Sequence, residues 1–331
     1  MAGATTYGDG STLNREDLLD MLTVVEPEQT PLTSLAGKGS KPGAMFTEWG
    51  LDAYDSPKFA GELEGQDITD FDNKAENRER VGNRQQKIRR TWLVSKEQAL
   101  TNTAGVKDEK ALAKSRCFIE MKLDVESAIG SDQEMATTNP SKLRGIGKWI
   151  DSSEQSVNPV PSAYRTPSAS INTTATASLA DSDLNGVMSS VYEQTGSDMA
   201  RMSLVAGPAL RSAVTNLQRA VGGGAGNPYT VNQDAKSHQI DFKVSEYIGD
   251  YGRIFVIPTL RNGRTSGGAL TNQAKARGYL LDPSMIDLLY MSAPEMKDLD
   301  DQGAGERGYA ETLLTLCVKS PLAIGKFSAT S

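Results

Sequence analysis

The sequence predicts an α+β protein, and three observations carry this prediction. A long amphipathic helix is indicated at residues 108–130. Alternating strand patterns flank a highly charged stretch at residues 61–90, and a compact unit of helices and strands begins near residue 179. Helices and strands therefore share one chain, in which no internal repeat is evident.

The N-terminal region is predicted to be a helix followed by an irregular arm. Asn14 is a candidate N-cap with Asp17 three residues later, and apolar residues follow at helical spacing until Pro27 stops the helix. The segment "TPLTSLAGKGSKPG" then indicates an arm without regular structure. The first strand candidate is "MFTEWGLDAY" at residues 45–54.

Residues 61–90 stand out because their fourteen charges are sorted by sign. Between 61 and 75 five acids stand against one lysine, and between 76 and 90 six bases stand against two acids. After this stretch "KIRRTWLVS" alternates, so Ile88, Trp92 and Val94 share one strand face with Arg90. A long hairpin is the simplest connection between the two flanking strands.

Such a hairpin cannot be stable on its own. An isolated two-stranded hairpin is marginal in water, and exposed ion pairs contribute only about 0–1 kcal/mol each. The charged arm therefore needs another surface, which is either another part of this chain or a neighbouring copy. On charge alone, a solvated and partly disordered loop is the alternative interpretation.

The long helix at residues 108–130 is delimited by Asp108 as a capping residue and Gly130 as a terminator. At 1.5 Å per residue it is roughly 30 Å long. We expect its apolar residues to face a sheet and the adjoining domain. The residues expected to do so are Leu112, Phe118, Ile119, Leu123, Val125 and Ile129.

The second half of the chain begins with a Ser-, Thr-, Pro- and Asn-rich crossover at residues 139–178, with short order around "GIGKWI". Two helices are then predicted on either side of the buried strand "MSLVAG", the second one starting at Pro208. "FKVSEYIGDYGRIFVIP" predicts two strands around Gly249-Asp250, and "GYLLD" and "ETLLTLCVKS" predict further strands. The first helix has an apolar stripe made of Leu184, Val187, Met188, Val191 and Tyr192.

Composition narrows the class of protein. A formal net charge of −7 argues against a protein whose main task is to grip nucleic acid phosphates. Cys117 and Cys317 are far apart and are expected to remain thiols in a reducing compartment. We find no signal peptide and no apolar run of the roughly 18 residues that a membrane span needs. These features favour a soluble protein made in a cytoplasm.

Catalytic signals are weak, and we predict no catalytic residue, no cofactor and no metal. His238 is the single histidine and lies in a polar loop context. "GGGAG" at 222–226 follows a helix, whereas phosphate loops follow a strand. "DLDDQGAGE" at 298–306 lacks calcium-loop spacing. A thiol enzyme that combines Cys117 or Cys317 with His238 remains an alternative.

The order of several segments resembles a known family. These segments are "TPLTSLAG", "KIRRTWLVSKEQAL", "ALAKSRCFIEMKLDVESAIGS", "GIGKWI", "SDLNGVMSSVYEQTGS", "EYIGDYGRIFVIPTLRNG" and "GYLLDPSMIDLLYM". From about residue 14 to about residue 325 they resemble the major capsid proteins of tailed bacteriophages, which have the Hong Kong 97 fold. The subgroup typified by phage SU-ten is the most similar.

The resemblance implies an N-terminal arm, an extended β-hairpin loop, a peripheral domain with a long spine helix, and an α/β axial domain. The arm would cover residues 1–45 and the loop 46–95. The peripheral domain would combine 96–178 with 298–331, and the axial domain would cover 179–297. In this fold the extended loop lies across an adjacent subunit, so the charge-sorted stretch would act as a clasp between copies.

Candidate intersubunit residues follow from the clasp hypothesis. Acids on the outgoing arm should meet bases, and arginines on the returning arm should meet acids, either on the opposite arm or across the interface. The candidates are Glu62, Glu64, Asp67, Asp70, Asp72, Arg78, Arg80 and Arg84.

The resemblance also implies partners. These are copies of the chain arranged as hexamers and pentamers, a portal protein, a separate scaffolding protein and double-stranded DNA contacted without sequence specificity. It implies a location in the virion, after assembly in the host bacterial cytoplasm. Whether a cement protein decorates the shell is open from the sequence. An encapsulin-like compartment shell shares the fold and is the main alternative, and a monomeric binding module is a further one.

Overall fold

The computed structural model describes residues 29–65, 67–69, 71–101, 106–196, 202–221, 246–262, 270–300, 303 and 305–328. The helix predicted after Asn14, His238 and the "GGGAG" segment lie outside these residues. Among the described residues, no helix is long and apolar enough to cross a membrane.

The helices agree with the capping signals in the sequence. Asp108 accepts a hydrogen bond from the backbone N–H of Ala111, and Gly130 follows the last turn of the long helix. Gly196 ends a later helix in the left-handed conformation at φ 59°, which favours glycine. The α-helices are α1 (Pro31–Leu35), α2 (Lys96–Leu100), α3 (Glu109–Ile129), α4 (Ile146–Trp149), α5 (Asp181–Thr195), α6 (Pro208–Val221) and α7 (Asn272–Ala276).

The strands form three sheets. A two-stranded sheet pairs β2 with β3, a four-stranded sheet has the order β1-β10-β11-β4, and a six-stranded sheet has the order β5-β12-β9-β6-β8-β7. The strands are β1 (Gly37–Lys38), β2 (Phe46–Leu51), β3 (Glu79–Arg84), β4 (Gln86–Val94), β5 (Ile171–Asn172), β6 (Ser203–Ala206), β7 (Glu246–Gly249), β8 (Gly252–Pro258), β9 (Arg277–Leu281), β10 (Ile286–Leu299), β11 (Glu306–Val318) and β12 (Gly325–Ser328).

The four-stranded sheet packs on the long helix α3. Ile88, Trp92 and Val94 are buried on the face of β4 that meets α3, and Arg90 on that face pairs with Asp124 of the helix. This confirms the predicted alternation of β4. The buried residues of β4 alternate with exposed ones, as expected for a strand with one covered face.

The apolar row of α3 is confirmed in part. Leu123, Val125 and Ile129 are buried, whereas Leu112, Phe118 and Ile119 are half-buried. Met121, which the helical spacing places in the same apolar rows, and Cys117, which lies in an apolar run expected to be core, are buried as well. The helix therefore turns a broad apolar stripe toward the sheet and the adjoining core.

The six-stranded sheet is covered on both sides near its centre. Leu204 and Leu280 face the core formed with α5 and α6, whereas Val205, Tyr279 and Leu281 on the opposite face join the core around α3. All four residues of β6 are buried, which explains why "MSLVAG" is a continuous apolar run. The predicted strands at Gly249-Asp250 form a hairpin, β7–β8.

Two expectations are wrong in detail. The hairpin joins β2 to β3, within the charged stretch, and β4 leaves it to pair with β11. Tyr192 is 45% exposed rather than part of the α5 core, and its ring lies 5.5 Å from that of Tyr251. The domain boundary expected at 297/298 stays a prediction, and β10 spans this position because its register with β11 continues to Leu299.

Candidate intersubunit surface

The base of the β2–β3 hairpin is anchored to the body by aromatic residues. The Trp49 Nε1–H donates to the carbonyl of Val318 at 3.0 Å, and its ring lies 5.6 Å from the ring of Trp149. Gly82 lies so close to β2 that a Cβ there would approach the Phe46 ring to 2.7 Å. Glycine therefore fits this position because the two strands are pressed against each other.

A buried asparagine ties the returning strand to the same body. Asn83 is fully buried, and its Nδ2 donates to the carbonyls of Leu316 at 2.9 Å and Arg144 at 3.1 Å. Its Oδ1 accepts from the N–H of Arg144 at 2.7 Å and from that of Arg84 at 2.9 Å. One side chain thus satisfies backbone groups from β3, β11 and the segment before α4.

Beyond this base the chain projects as a loop, residues 52–78, which we call the apical loop. Every described residue from 52 to 76 is exposed. Large apolar side chains are among them, although monomeric proteins rarely gather such groups on one solvated segment. They are Tyr54 at 103%, Phe59 at 94%, Leu63 at 75%, Ile68 at 78% and Phe71 at 84% exposure.

Ion pairs hold the two arms of the apical loop together. Lys58 lies 2.7 Å from Asp72, and Lys74 lies 2.6 Å from Asp55 and 3.4 Å from Asp72. The hydrogen bond from Lys74 lowers the pKa of Asp55, that from Lys58 lowers the pKa of Asp72, and Asp55 in turn raises the pKa of Lys74. These pairs are solvent-exposed, so they shape the loop more than they stabilise it.

The arms enclose an open cleft of about 660 Å³ that is lined mainly by charged residues of the loop. Asp52, Asp55 and Asp72 face Lys58 and Lys74 across it. Because these groups pair with one another, the cleft carries no concentrated charge of either sign. We therefore interpret it as a gap between the two arms and not as a ligand pocket.

The candidate residues fall into distinct groups. Arg78 pairs with Asp52 at 3.1 Å and Arg80 with Glu48 at 3.9 Å, so both meet an acid on the opposite arm. Arg84 donates instead to the carbonyl of Thr137 at 3.1 Å.

Most of the acidic candidates have no ionic partner among the described residues. Asp72 is paired, whereas Glu62, Glu64 and Asp67 are exposed and make no ion pair with any described residue. Asp70 lies outside the described residues. The apical loop therefore presents unneutralised acids beside exposed apolar side chains.

Part of the charge-sorted stretch is not available to a neighbouring copy. Val81, Asn83 and Gln85 are buried within their own subunit. The surface that remains for another copy is the apical loop itself.

A buried carboxylate that the sequence analysis missed fixes the N-terminal arm. Glu126 of α3 is fully buried and accepts from the backbone N–H groups of Leu32 at 2.7 Å and Thr33 at 2.8 Å, and from the Thr33 hydroxyl. Burial raises the pKa of Glu126, although these hydrogen bonds and the charge of Arg261 act in the opposite direction. Because α1 and α3 are distant in sequence, no local pattern could reveal this contact.

The proposed thiol chemistry finds no support in the geometry. Cys117 and Cys317 are buried free cysteines. Burial raises the pKa of both thiols, that of Cys317 to about 12, which disfavours the nucleophilic thiolate. Among the described residues no cluster of three or more His, Cys, Asp or Glu residues is placed to hold a metal ion.

Solved structures with a similar fold include phage capsids and a gene transfer agent capsid. The Cyanophage A-1(L) capsid chain gives a TM-score of 0.68 at 12% identity, covering 96% of this chain and 98% of that one. The native gene transfer agent capsid gives 0.61 at 12% identity with 100% of both chains covered, and the Cyanophage P-SCSP1u capsid gives 0.60 at 9% identity with 96% and 94% covered. At such identities the likeness shows the fold alone, and it confirms the predicted capsid-type α+β class.

The fold of this chain is of the capsid type. The family model of the SU10 major capsid protein matches residues 4–331, and the chain belongs to that family. No curated protein matches the chain in sequence. Its function is therefore structural: it self-associates into the shell of a phage head and is located in the virion.

Proposed function

We propose that the apical loop is the clasp through which each subunit holds a neighbouring copy in the shell. The observation that carries this proposal is the row of large apolar side chains at 75–103% exposure on a segment that its own body leaves uncovered. Fully burying a side chain of this size stabilises by about 1.5–3 kcal/mol relative to exposure. A loop with five such groups has a strong drive to become covered.

The charged candidates set the register of this clasp rather than its strength. Arg78 and Arg80 and their partners on the opposite arm keep the loop extended, and Glu62, Glu64 and Asp67 remain to meet basic groups of another copy. Like charges brought together in a wrong register cost several kcal/mol. Repeated over a closed shell, such terms select one arrangement of subunits.

The domain assignment of this proposal follows the sheets. The peripheral domain comprises α3 with the four-stranded sheet, and the axial domain comprises α5, α6 and most of the six-stranded sheet. The boundary then moves from 297/298 to the turn between β9 and β10. β12 belongs with the axial sheet, although it lies within the range 298–331 that was assigned to the peripheral domain.

In this proposal the shell consists of hexamers and pentamers, assembled in the host bacterial cytoplasm with a portal protein and a separate scaffolding protein. It encloses double-stranded DNA, which its inner surface touches without reading the sequence, because packaging must accept a whole genome. The protein performs no catalysis. Sequence-selective DNA binding by the isolated subunit that survives moderate salt would contradict this proposal, as would turnover that one substitution abolishes.

The direct test shortens the apical loop. Residues 56–71 are replaced by a short Gly-Ser linker, which keeps the Lys74–Asp55 pair and leaves the buried hairpin base untouched. We expect a subunit with unchanged circular dichroism and thermal unfolding that forms no shells in sedimentation and negative-stain images. Normal shells from this variant would refute the clasp.

A second variant tests the charges. Reversal of Arg78, Arg80 and Arg84 to Glu should leave the subunit folded but impair assembly. Residual assembly should be unusually sensitive to salt, because screening acts over about 8–10 Å at ordinary ionic strength. The matched control replaces the same three residues by Lys, which keeps the charge and should assemble.

A further inference from the structure

In the part of the chain that the structure describes, one hydrogen bond joins the apical loop to the subunit outside the β2–β3 hairpin. The hydroxyl of Tyr164 donates to the backbone carbonyl of Asn77. The other hydrogen bonds of the described loop residues join these residues to one another. Among the described residues from 52 to 80, Asn77 is half-buried and all the others are exposed. The loop is therefore fastened to the body at one point.

Tyr164 is a fixed part of the body. It ends the short 3₁₀-helix Ser162–Tyr164, and its N–H donates to the carbonyl of Pro161 at 3.0 Å. Tyr164 is 7% exposed and belongs to the core around α3. Two residues later, the hydroxyl of buried Thr166 donates to the carbonyl of Pro321 at 2.7 Å, which ties this segment to the connection between β11 and β12. The Tyr164 hydroxyl thus reaches the loop from a position that packing and hydrogen bonds hold in place.

The Tyr164 hydroxyl keeps its proton at neutral pH. Loss of hydration raises the pKa of Tyr164, and the nearby carboxylates of Asp52 and Glu79 act in the same direction. A carbonyl oxygen can only accept a hydrogen bond, so this contact needs a protonated hydroxyl as its donor. The environment of Tyr164 supplies one.

Asn77 extends the fastening to the opposite arm of the loop. Its carbonyl accepts from Tyr164 on the returning arm. Its side-chain Nδ2 donates to Oδ1 of Asp55 at 2.8 Å and to the carbonyl of Ala53 at 3.3 Å, both on the outgoing arm. The pairing of β2 with β3 ends just below this level. Both arms are therefore attached to the body immediately above the last strand pair.

The direction of the apical loop depends on this attachment. Apart from the bond to Tyr164, the described residues of the two arms pair only with each other, and a two-stranded arrangement of this kind is marginal in water. Without that bond the loop would pivot about the last strand pair. A neighbouring copy would then have to order it on binding, at a cost in conformational entropy. A loop that already points in one direction avoids much of that cost.

We propose that Tyr164 is a positioning residue of the clasp, whose hydroxyl, acting through Asn77, sets the direction in which the apical loop leaves its subunit before assembly. This inference rests on the clasp function proposed above and adds the residue of the body that orients the loop. A hydrogen bond of ordinary strength shifts an equilibrium between fastened and released loops by about two- to tenfold. A bond of this strength biases the direction of the loop without locking it.

The test removes the hydroxyl alone. Tyr164→Phe keeps the ring in the core, and Tyr279→Phe is the matched control, because the Tyr279 hydroxyl donates to the carbonyl of Gly130 at 2.8 Å within the body. In each chain, nitroxide labels are attached to Ser56→Cys in the loop and to Ser115→Cys on α3, both at exposed positions. The two native cysteines are buried, so they should stay unlabelled. Pulsed electron paramagnetic resonance of the unassembled subunit then measures the distribution of distances between the two labels.

We expect a narrow distribution in the parent chain and in Tyr279→Phe, and a broader one in Tyr164→Phe. The critical concentration for assembly should rise by about two- to tenfold in Tyr164→Phe, which is the shift expected for the loss of one hydrogen bond. In urea unfolding, Tyr279→Phe should lower the midpoint at least as much as Tyr164→Phe, because Tyr279 is fully buried. An effect of stability alone would therefore appear in the control as well.

Three outcomes would overturn the inference. The first is an equal width in the parent and in Tyr164→Phe. The second is equal broadening in Tyr164→Phe and Tyr279→Phe, which would show a general loosening of the body. The third is a broader distribution with an unchanged critical concentration, because the direction of the loop would then not matter for assembly.

Failure of the clasp can be distinguished from failure of this positioning role. Normal shells from the loop-shortened chain remove the clasp, whatever the label distances are. Unchanged label distances in Tyr164→Phe, together with a loop-shortened chain that forms no shells, remove the positioning role and leave the clasp in place.

Discussion

Replacing Asn83 by Ala tests how the hairpin base is held. The change removes the partner of two carbonyls, those of Leu316 and Arg144, and of the N–H of Arg144, all in a fully buried environment. Each buried polar group left unpaired costs about 1–3 kcal/mol. Because the carbonyls have a second lone pair, we expect the lower part of that range for each, and a total loss of about 3–5 kcal/mol.

The measurement is urea unfolding of the subunit at a concentration below that of assembly, followed by circular dichroism. Asn73→Ala is the matched control, because Asn73 lies in the apical loop and accepts one hydrogen bond from the N–H of Ala75 at 3.2 Å. A surface substitution of this kind should stay within about 0.5 kcal/mol. Asn83→Asp, with the same shape, should destabilise at least as strongly as Asn83→Ala, because a carboxylate oxygen would face two carbonyl oxygens. If Asn83→Ala unfolds within about 1 kcal/mol of the parent, the hairpin base is not held by this side chain.

Three further predictions concern the body of the subunit. Leu123→Ala should cost about 2–5 kcal/mol in urea unfolding, since Leu123 is 8% exposed, whereas Leu100→Ala, at 89% exposure, should be close to neutral. The raised pKa of Glu126 means that its contribution to stability is fully present below the unfolded value near 4.5 and is lost as pH rises through the folded pKa. Glu126→Gln should therefore be less stable throughout but show a flatter profile between mildly acidic and neutral pH, and an unchanged slope would contradict the assignment. At pH 8 Cys317 should react with a thiol reagent only after unfolding, because its pKa is raised to about 12, and rapid labelling of the folded subunit would show that the site is open.

Sequence patterns predicted the elements whose signals are local. The alternation of Ile88, Trp92 and Val94 gave β4, and the cap at Asp108 with the stop at Gly130 gave α3. β10 was missed because its second half is charged and contains Pro294, and its register with β11 shifts on either side of Ser292. Proline and charged residues both argue against a strand when only the sequence is known. In the structure a register shift accommodates them, and β10 continues beyond them.

The candidate site was predictable as a segment and only partly as residues. Charge sorting marked residues 61–90, but the buried part of β3 was not distinguished from the exposed loop, because "ERVGNR" has little apolar character. Asn83 and Glu126 could not be found from the sequence, since their partners lie on Leu316 and Leu32, far away along the chain. Polar residues are expected to be solvent-exposed when only the sequence is known. In the folded chain, backbone groups of distant segments pair with these two side chains and allow them to be buried.

The passage from β3 to β4 has a mechanical consequence. A single residue, Gln85, separates the two strands, and its N–H remains bonded to the carbonyl of Met45 at 2.9 Å. The arm that returns from the apical loop is thus continuous with β4, the edge strand that pairs with β11. A force applied to the tip of the loop is transmitted along extended backbone, which hardly stretches. No flexible connector lies between β3 and β4 to absorb it. If the apical loop is the proposed clasp, strain at its contact with a neighbouring copy reaches the four-stranded sheet of the same subunit directly, and stress on one contact is shared around the shell.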